Sequence, residues 1–299
     1  MIYYLEGFEI DRIKWDNCVS NSLGGHVYGL SWYLDMVAPG WAGLVKGDYE
    51  WIMPLLIKRK FGISYLFQPI FAQQTGVIGK GRINEDMMDE FIKAIPGFIR
   101  YADFNLNFTN AINVDVYKTT RNLNFELNLE QEYPEIKTRY ASNTRRNVQM
   151  ATKFVKIREK IDIDEFINLK RKNPVKRKDS SFYKWMFSFV NQIISRGYGE
   201  IVGAETDGKI CAAAFFVKFR NRSYYLIPVS DISGKQNKAM FAIVDHQVRK
   251  YSGSKLILDF EGSGIPGIAR FFGGFGAIPV EYLRLRFNNL PFFMKFFKR

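Results

Sequence analysis

Residues 258–277, LDFEGSGIPGIARFFGGFGA, decide how this chain is read. Gly262, Gly264 and Gly267 spell G-x-G-x-x-G after an apolar, strand-like run, the pattern of a dinucleotide-binding turn. That turn needs further βαβ strands to complete a nucleotide site, and only 32 residues follow Gly267. Glu281 lies where a ribose-binding acid would fall, but it sits in the middle of a strand pattern rather than at a strand's end. The glycines read better as geometry. A buried strand, 255–260, leads into two acids, Asp259 and Glu261, whose spacing predicts that they share one side. Gly262 and Gly264 permit a tight turn, and Pro266 suits the first turn of a helix predicted over 265–275. Gly273, Gly274 and Gly276 then let the chain reverse into a final strand over 278–287.

Working outward, residues 41–79 read as antiparallel strands with turn signals at Gly47-Asp48 and Phe61-Gly62. Asn84 caps a helix predicted to run to about Tyr101, bent or divided at Pro96. Leu123–Leu129 alternates with period two, a strand. From Tyr133 the pattern turns helical and basic, and further helices are predicted over 164–173 and 180–196. Strands at 200–205, 210–219 and 223–229 follow, with Asp207-Gly208 as a hairpin turn. A helix over 235–251 leads back to the opening stretch. Hairpin strands, helix, then strands occur twice. This predicts an α/β (α+β) chain of two lobes, 1–135 and 136–299, each a mixed, largely antiparallel sheet flanked by helices, the second opening on a basic helical segment.

The composition is that of a globular protein, 47% hydrophobic and 24% charged over 299 residues, with an unusually high 16% of aromatics. Cys18 and Cys211 offer neither a disulfide framework nor zinc spacing, so a reducing, cytoplasmic setting and no metal are expected. The first residues carry no basic stretch before an apolar core, so no signal peptide is expected. Gln68, Pro69, Gln73 and Gln74 interrupt the longest uncharged run, Phe61–Gly79, which argues against a membrane span. Net charge is +13, and Lys137–Lys178 alone holds fourteen Lys/Arg against four Asp/Glu. Such a run is often a solvated face. A concentration this strong favours an anionic partner, whether nucleic acid, a phosphate-bearing ligand or an acidic membrane surface.

No G-x-S-x-G elbow, H-E-x-x-H, C-x-x-C pair or G-x-x-x-x-G-K-[ST] loop is present, so hydrolase, zinc and P-loop chemistry lack support. Transfer of an activated acyl group to an amine demands less: a proton acceptor, backbone donors for the oxyanion, and proximity. Asp259 and Glu261 are candidate bases or amine-positioning groups; their alternative is a cap or an ion pair. Arg145 and Arg146 follow a Ser142-Asn143-Thr144 cap signal and suit phosphate contact. Gln68, Gln73 and Gln74 are amides in an apolar neighbourhood, satisfied either by an acceptor ligand or by a strand-end network.

LDFEGSGIPGIARFFGGFGA, YASNTRRNVQMATK (140–153) and PLLIKRKFGISYLFQPIFAQQTG (54–76), with the repeated element order, resemble the Fem-like branch of the GNAT superfamily, in which two GNAT-like domains share one chain. The resemblance implies an N-acyltransferase, with acyl-CoA or aminoacyl-tRNA as donor and an amine acceptor such as a cell-wall precursor. GNAT enzymes hold the CoA pyrophosphate in a Q/R-x-x-G-x-G/A loop. The segment similar to it contains Gly234, Lys235, Gln236 and Lys238 as donor or phosphate contacts, but Ala239 occupies the central glycine position and Phe241 that of the final small residue. This departure from the loop pattern counts against CoA without excluding it: no tightly bound cofactor is expected, and acyl-CoA stays open as a co-substrate beside aminoacyl-tRNA. The competing expectation is a non-catalytic GNAT-fold protein that binds nucleic acid or an anionic membrane through its basic belt. The aromatic, basic tail from Leu290 would give a cytoplasmic enzyme a foot on the inner face of the membrane if it does not fold back on its own domain.

Overall fold

Short acidic or amide side chains start five of the helices. Asp11, Asn84, Asp162, Asp179 and Asp231 each accept backbone N–H groups of the first turn that would otherwise lack partners. These caps punctuate a computed structural model that describes residues 1–262 and 264–291. The elements run β1 (Ile2–Glu6), α1 (Arg12–Asn21), α2 (Ser31–Val37), β2 (Ala42–Lys46), β3 (Trp51–Leu55), β4 (Ile57–Lys60), β5 (Ile63–Phe67), β6 (Ile78–Gly79), α3 (Glu85–Lys93), β7 (Ile99–Asn105) and β8 (Thr119–Asn128). Then come α4 (Tyr133–Thr138), α5 (Ser142–Phe154), β9 (Lys156–Glu159), α6 (Ile163–Lys172), α7 (Ser180–Ser195), β10 (Gly199–Thr206), β11 (Lys209–Phe219) and β12 (Arg222–Ser230). The series closes with α8 (Ile232–Gln236), α9 (Ala239–Tyr251), β13 (Ile257–Gly262), α10 (Pro266–Gly274) and β14 (Ile278–Asn288).

Two compact units divide the chain: Met1–Leu123 together with the segment from Val280, and Asn124–Pro279. The division expected near residue 135 thus falls earlier, and the final strand joins the first unit instead of the second lobe. The reason is β14, whose Arg284–Asn288 pair antiparallel with Asn105–Tyr101 of β7. Leu285, fully buried, fills the first unit's core beside Leu66, Phe91, Ala102 and Phe104. In this unit the strands run β1-β2-β3-β6 and β4-β5-β7-β14.

In the second unit the order is β8-β13-β12-β11-β10-β9. Asp207 (φ 51°) and Gly208 (φ 73°) form the expected hairpin between β10 and β11, both left-handed as a twisted two-residue turn requires. On one sheet face Leu258, Phe260, Phe272 and Phe275 build an aromatic core with Ile243 and Val248 of α9. Phe260 and Phe272 stack at 4.8 Å.

Three local expectations change. The helix expected over 84–101 ends at Lys93, before Pro96. The helix expected over 235–251 is two, because Lys238 adopts a left-handed conformation (φ 56°) between α8 and α9. The N-cap of α5 is Ala141, with no side-chain bond, so Ser142-Asn143-Thr144 is not a cap. Thr144 is buried instead, where a Cβ on Gly274 of α10 would come within 2.4 Å of its hydroxyl. Residues 292–299, which carry most of the tail considered for membrane contact, lie outside the described residues.

Candidate functional site

Strands β12 and β13 are parallel and stay in register for only three pairs: Arg222 with Ile257, Ser223 with Leu258, and Tyr224 with Asp259. Beyond Asp259, β13 bulges against β8, and Glu261 takes a left-handed φ of 58°. β12 meanwhile continues to Ser230 against β11, with Leu226 bulged out between the Phe216–Tyr225 and Phe215–Ile227 pairs. From Tyr225 onward, β12 therefore has no ladder to β13, and the backbone groups of a parting strand need water or a ligand.

This stretch of β12 lines a cavity of about 450 Å³. Tyr225, Pro228 and Ser230 form one wall; Lys170 and Lys172 of α6 and Lys235 of α8 surround it. Lys170 is half-buried, and its Nζ donates to the Pro228 carbonyl at 2.6 Å. Burial lowers its pKa to about 8, near neutrality for a lysine. Sequence reading missed Lys170, which passed for one more cation in a basic run. The signal was its spacing: Lys170 stands three and four positions after Ile167 and Phe166, both buried, so it shares the covered face of α6.

The donor-loop candidates separate. Lys235 reaches the cavity. Gly234 is buried, its N–H already donates to Asp231 at 2.7 Å, and a Cβ there would come within 2.3 Å of the Cys211 carbonyl. Its part is close helix–strand packing, not a free phosphate donor. Gly234→Ala should therefore cost about 1–3 kcal/mol of stability, read as an earlier urea midpoint. Gln236 and Lys238 are not among the residues lining this cavity; Gln236 is exposed, and Lys238 opens α9 with no side-chain cap.

The carboxylates do not stand as a pair of bases. Asp259 is 1% exposed, and the Arg222 guanidinium bridges it at 2.9 Å to Glu126 at 2.7 Å. Burial raises the Asp259 pKa to about 6 against the pull of Arg222, since one cation serves two acids. Its other oxygen accepts the Glu261 N–H at 2.9 Å. The bulge and left-handed Glu261 break the alternation that predicted a shared side. Asp259 thus forms the ion pair that was its alternative reading.

Arg145 and Arg146 lie exposed in the first turn of α5, Arg145 within 3.4 Å of the Thr138 carbonyl. In the first unit, the fold itself occupies the glutamines. Gln68 donates to the Ala72 carbonyl and accepts the Asn105 N–H at 2.7 Å. Gln74, buried, accepts the Phe108 N–H at 3.0 Å and donates to Gln73 at 3.0 Å, while the Gln73 carbonyl accepts from Asn105. This is the strand-end network rather than an amide-lined groove awaiting an acceptor.

A second concavity, about 510 Å³, is lined by Arg177, Lys178, Phe182 and Trp185 at the start of α7. Lys178 stands 5.1 Å over the Phe182 ring. The basic loop after α6 connects the two concavities, since Asn173, Pro174 and Val175 line the first and Arg177 and Lys178 the second. Among the described residues no group of His, Cys, Asp and Glu is placed to hold a metal ion, and no helix is long and apolar enough to cross a membrane.

No protein-family model matches the chain, and no curated protein matches it by sequence. Solved structures do match it by fold. FemX is similar over 92% of this chain and 96% of its own, with a TM-score of 0.62 at 11% identity. L-PGS from Bacillus licheniformis is similar over 92% and 91%, with a TM-score of 0.57 at 10% identity. A tandem GNAT protein from the clavulanic acid biosynthesis pathway is similar over 97% and 99%, with a TM-score of 0.56 at 10% identity. The chain thus shares the fold of FemX, L-PGS and the tandem GNAT protein, with mixed sheets flanked by helices.

Proposed function

We propose that the unit Asn124–Pro279 is an N-acyltransferase domain, moving an acyl or aminoacyl group from an activated donor to an amine. The observation that carries this reading is the parting of β12 from β13 after three pairs, beside a bulge and a lysine-lined cavity. A strand edge freed in this way offers backbone N–H groups to a carbonyl oxygen that gains charge as the amine attacks. The fold it shares with FemX, L-PGS and a tandem GNAT protein supports the same chemistry.

The donor carries phosphate. Lys172 and Lys235 bring two exposed cations, beside the half-buried Lys170 amine, and no carboxylate is among the described residues of the cavity lining. The loop continues the positive charge through Lys176, Arg177 and Lys178 to Phe182 and Trp185, where a nucleobase could stack. Acyl-CoA would fill the cavity with its pantetheine arm; aminoacyl-tRNA would run its 3′ end along the basic loop. An amine on an anionic acceptor such as a cell-wall precursor suits the same field, in the cytoplasm at the inner face of the membrane.

The test offers the full chain radiolabelled acetyl-CoA or a set of aminoacyl-tRNAs, with a UDP-linked muropeptide and a lysine-containing peptide as acceptors. Label in the acceptor with either donor supports the reading, and the productive donor identifies the class. Salt-sensitive tRNA binding with no transfer from either donor would replace it with the non-catalytic, nucleic-acid-binding alternative.

A further inference from the structure

Whatever the donor, the attacking nitrogen must lose a proton, and the two acids that sequence reading offered for this are poorly placed. Asp259 is buried and held by Arg222, and neither it nor Glu261 lines the cavity. No Asp, Glu or His is among the described residues that line it. The titratable groups present are Lys170 and Lys172 from α6, Lys235 from α8 and the Tyr225 hydroxyl from β12. Burial drives the Tyr225 pKa far up, so that hydroxyl keeps its proton. Lys172 and Lys235 are exposed, and only Lys170 of the three is partly covered.

We propose that Lys170 is the proton acceptor of the transfer reaction, its half-buried amine held against the wall of the cavity by the Pro228 carbonyl. The inference rests on the acyltransferase reading and deepens it by naming the base. Geometry supports it in two ways. The only hydrogen-bond partner described for Nζ is a neutral carbonyl, so no carboxylate holds the ammonium form. A neutral amine can also keep one N–H on Pro228 while turning its lone pair toward the cavity, so the same contact serves both protonation states.

In the step itself, the acceptor nitrogen forms a C–N bond to the donor's acyl carbon, and its surplus proton passes to the Lys170 lone pair. The C–S bond of a thioester, or the C–O bond of an aminoacyl ester, then breaks. Lys170 returns the proton to the leaving thiolate or alkoxide and is neutral again. Donor plus amine gives amide plus thiol or alcohol, with no further reactant.

Lys170→Arg separates this role from that of a fixed cation. Arginine keeps the charge and most of the reach but does not give up its proton. With whichever donor supports transfer by the wild-type chain, kcat/KM should rise with pH to a plateau above about 8, where the amine of Lys170 becomes neutral. Lys170→Arg and Lys170→Met should both fall by about 100-fold or more and lose that rise. Thermal shifts with free CoA, or tRNA binding, should stay close to wild type for Lys170→Arg. A separate readout needs no turnover: the pH dependence of trinitrobenzenesulfonate labelling, followed by peptide mass spectrometry, should give Lys170 a midpoint near 8, below that of the surface lysines. A Lys170→Arg enzyme within threefold of wild type, or an ordinary lysine midpoint, overturns the assignment and leaves the acyltransferase reading in place. If the wild type transfers from neither donor, that reading fails first and takes this inference with it.

Discussion

Arg222→Ala should be the most damaging single substitution in the Asn124–Pro279 unit, lowering stability by about 3–5 kcal/mol near pH 8. Among the described residues Arg222 is the one cation between Glu126 and Asp259, at 2.7 and 2.9 Å, with Asp259 almost fully enclosed. Removing it leaves two acids in a poorly hydrated place, where unpaired charge costs far more than the pair returned. The loss should depend on pH with a defined sign. The Asp259 pKa stands raised, from an ordinary 3.8 to about 6, so its contribution to stability is full below about pH 4 and is lost as pH rises through 6. Without Arg222 that penalty deepens, and urea midpoints of the variant should recover as pH falls from 8 to 5. Asp259→Asn, which cannot ionise, should avoid the penalty and match or exceed the wild type at pH 8, by up to about 3 kcal/mol. A variant equally destabilised at pH 5 and pH 8 would show that Arg222 acts by packing alone.

Neutralising the basic loop should produce the second large effect, on binding rather than folding. Lys176, Arg177 and Lys178 are exposed, next to the Phe182–Trp185 hollow, and Lys178 already leans over Phe182. If each meets a phosphate of a single strand, Lys176→Gln, Arg177→Gln and Lys178→Gln together should flatten the plot of log affinity against log salt by about 2 units, at roughly 0.7 per contact. Binding of a short single-stranded RNA at low salt should weaken by roughly 100-fold with it. Arg145→Gln with Arg146→Gln, in the first turn of α5, provides the comparison for the other arginines in the run. An unchanged slope in the triple variant would return the loop to a solvated face.

The opening stretch, residues 258–277, was legible almost to the residue, because glycine and proline act locally: the helix expected over 265–275 is Pro266–Gly274, and the strand after it begins at Ile278. The Asp207-Gly208 hairpin and the Asn84 cap were readable for the same reason. What failed depended on distant partners. The side on which Glu261 falls is set by a bulge against β8, more than 130 residues earlier. Gly234 looked like a loop glycine because the Cys211 carbonyl that excludes a side chain lies on β11, away from α8 in sequence. Lys170 was hidden among cations, since a run of charge does not say which member the fold will cover.

The return of the last strand to the first unit has a consequence for synthesis. Met1–Leu123 leaves the ribosome first, yet Leu285, which fills its core, and β14, which pairs with β7, come only after all of Asn124–Pro279. At about 5–20 residues per second, that strand arrives roughly 10–30 s after its partners. During this interval the second unit has every one of its strands in hand, while the first waits with the edge of β7 exposed. The unit that starts first is therefore the last to close, and chains shortened before Val280 should expose that edge to chaperones or to one another.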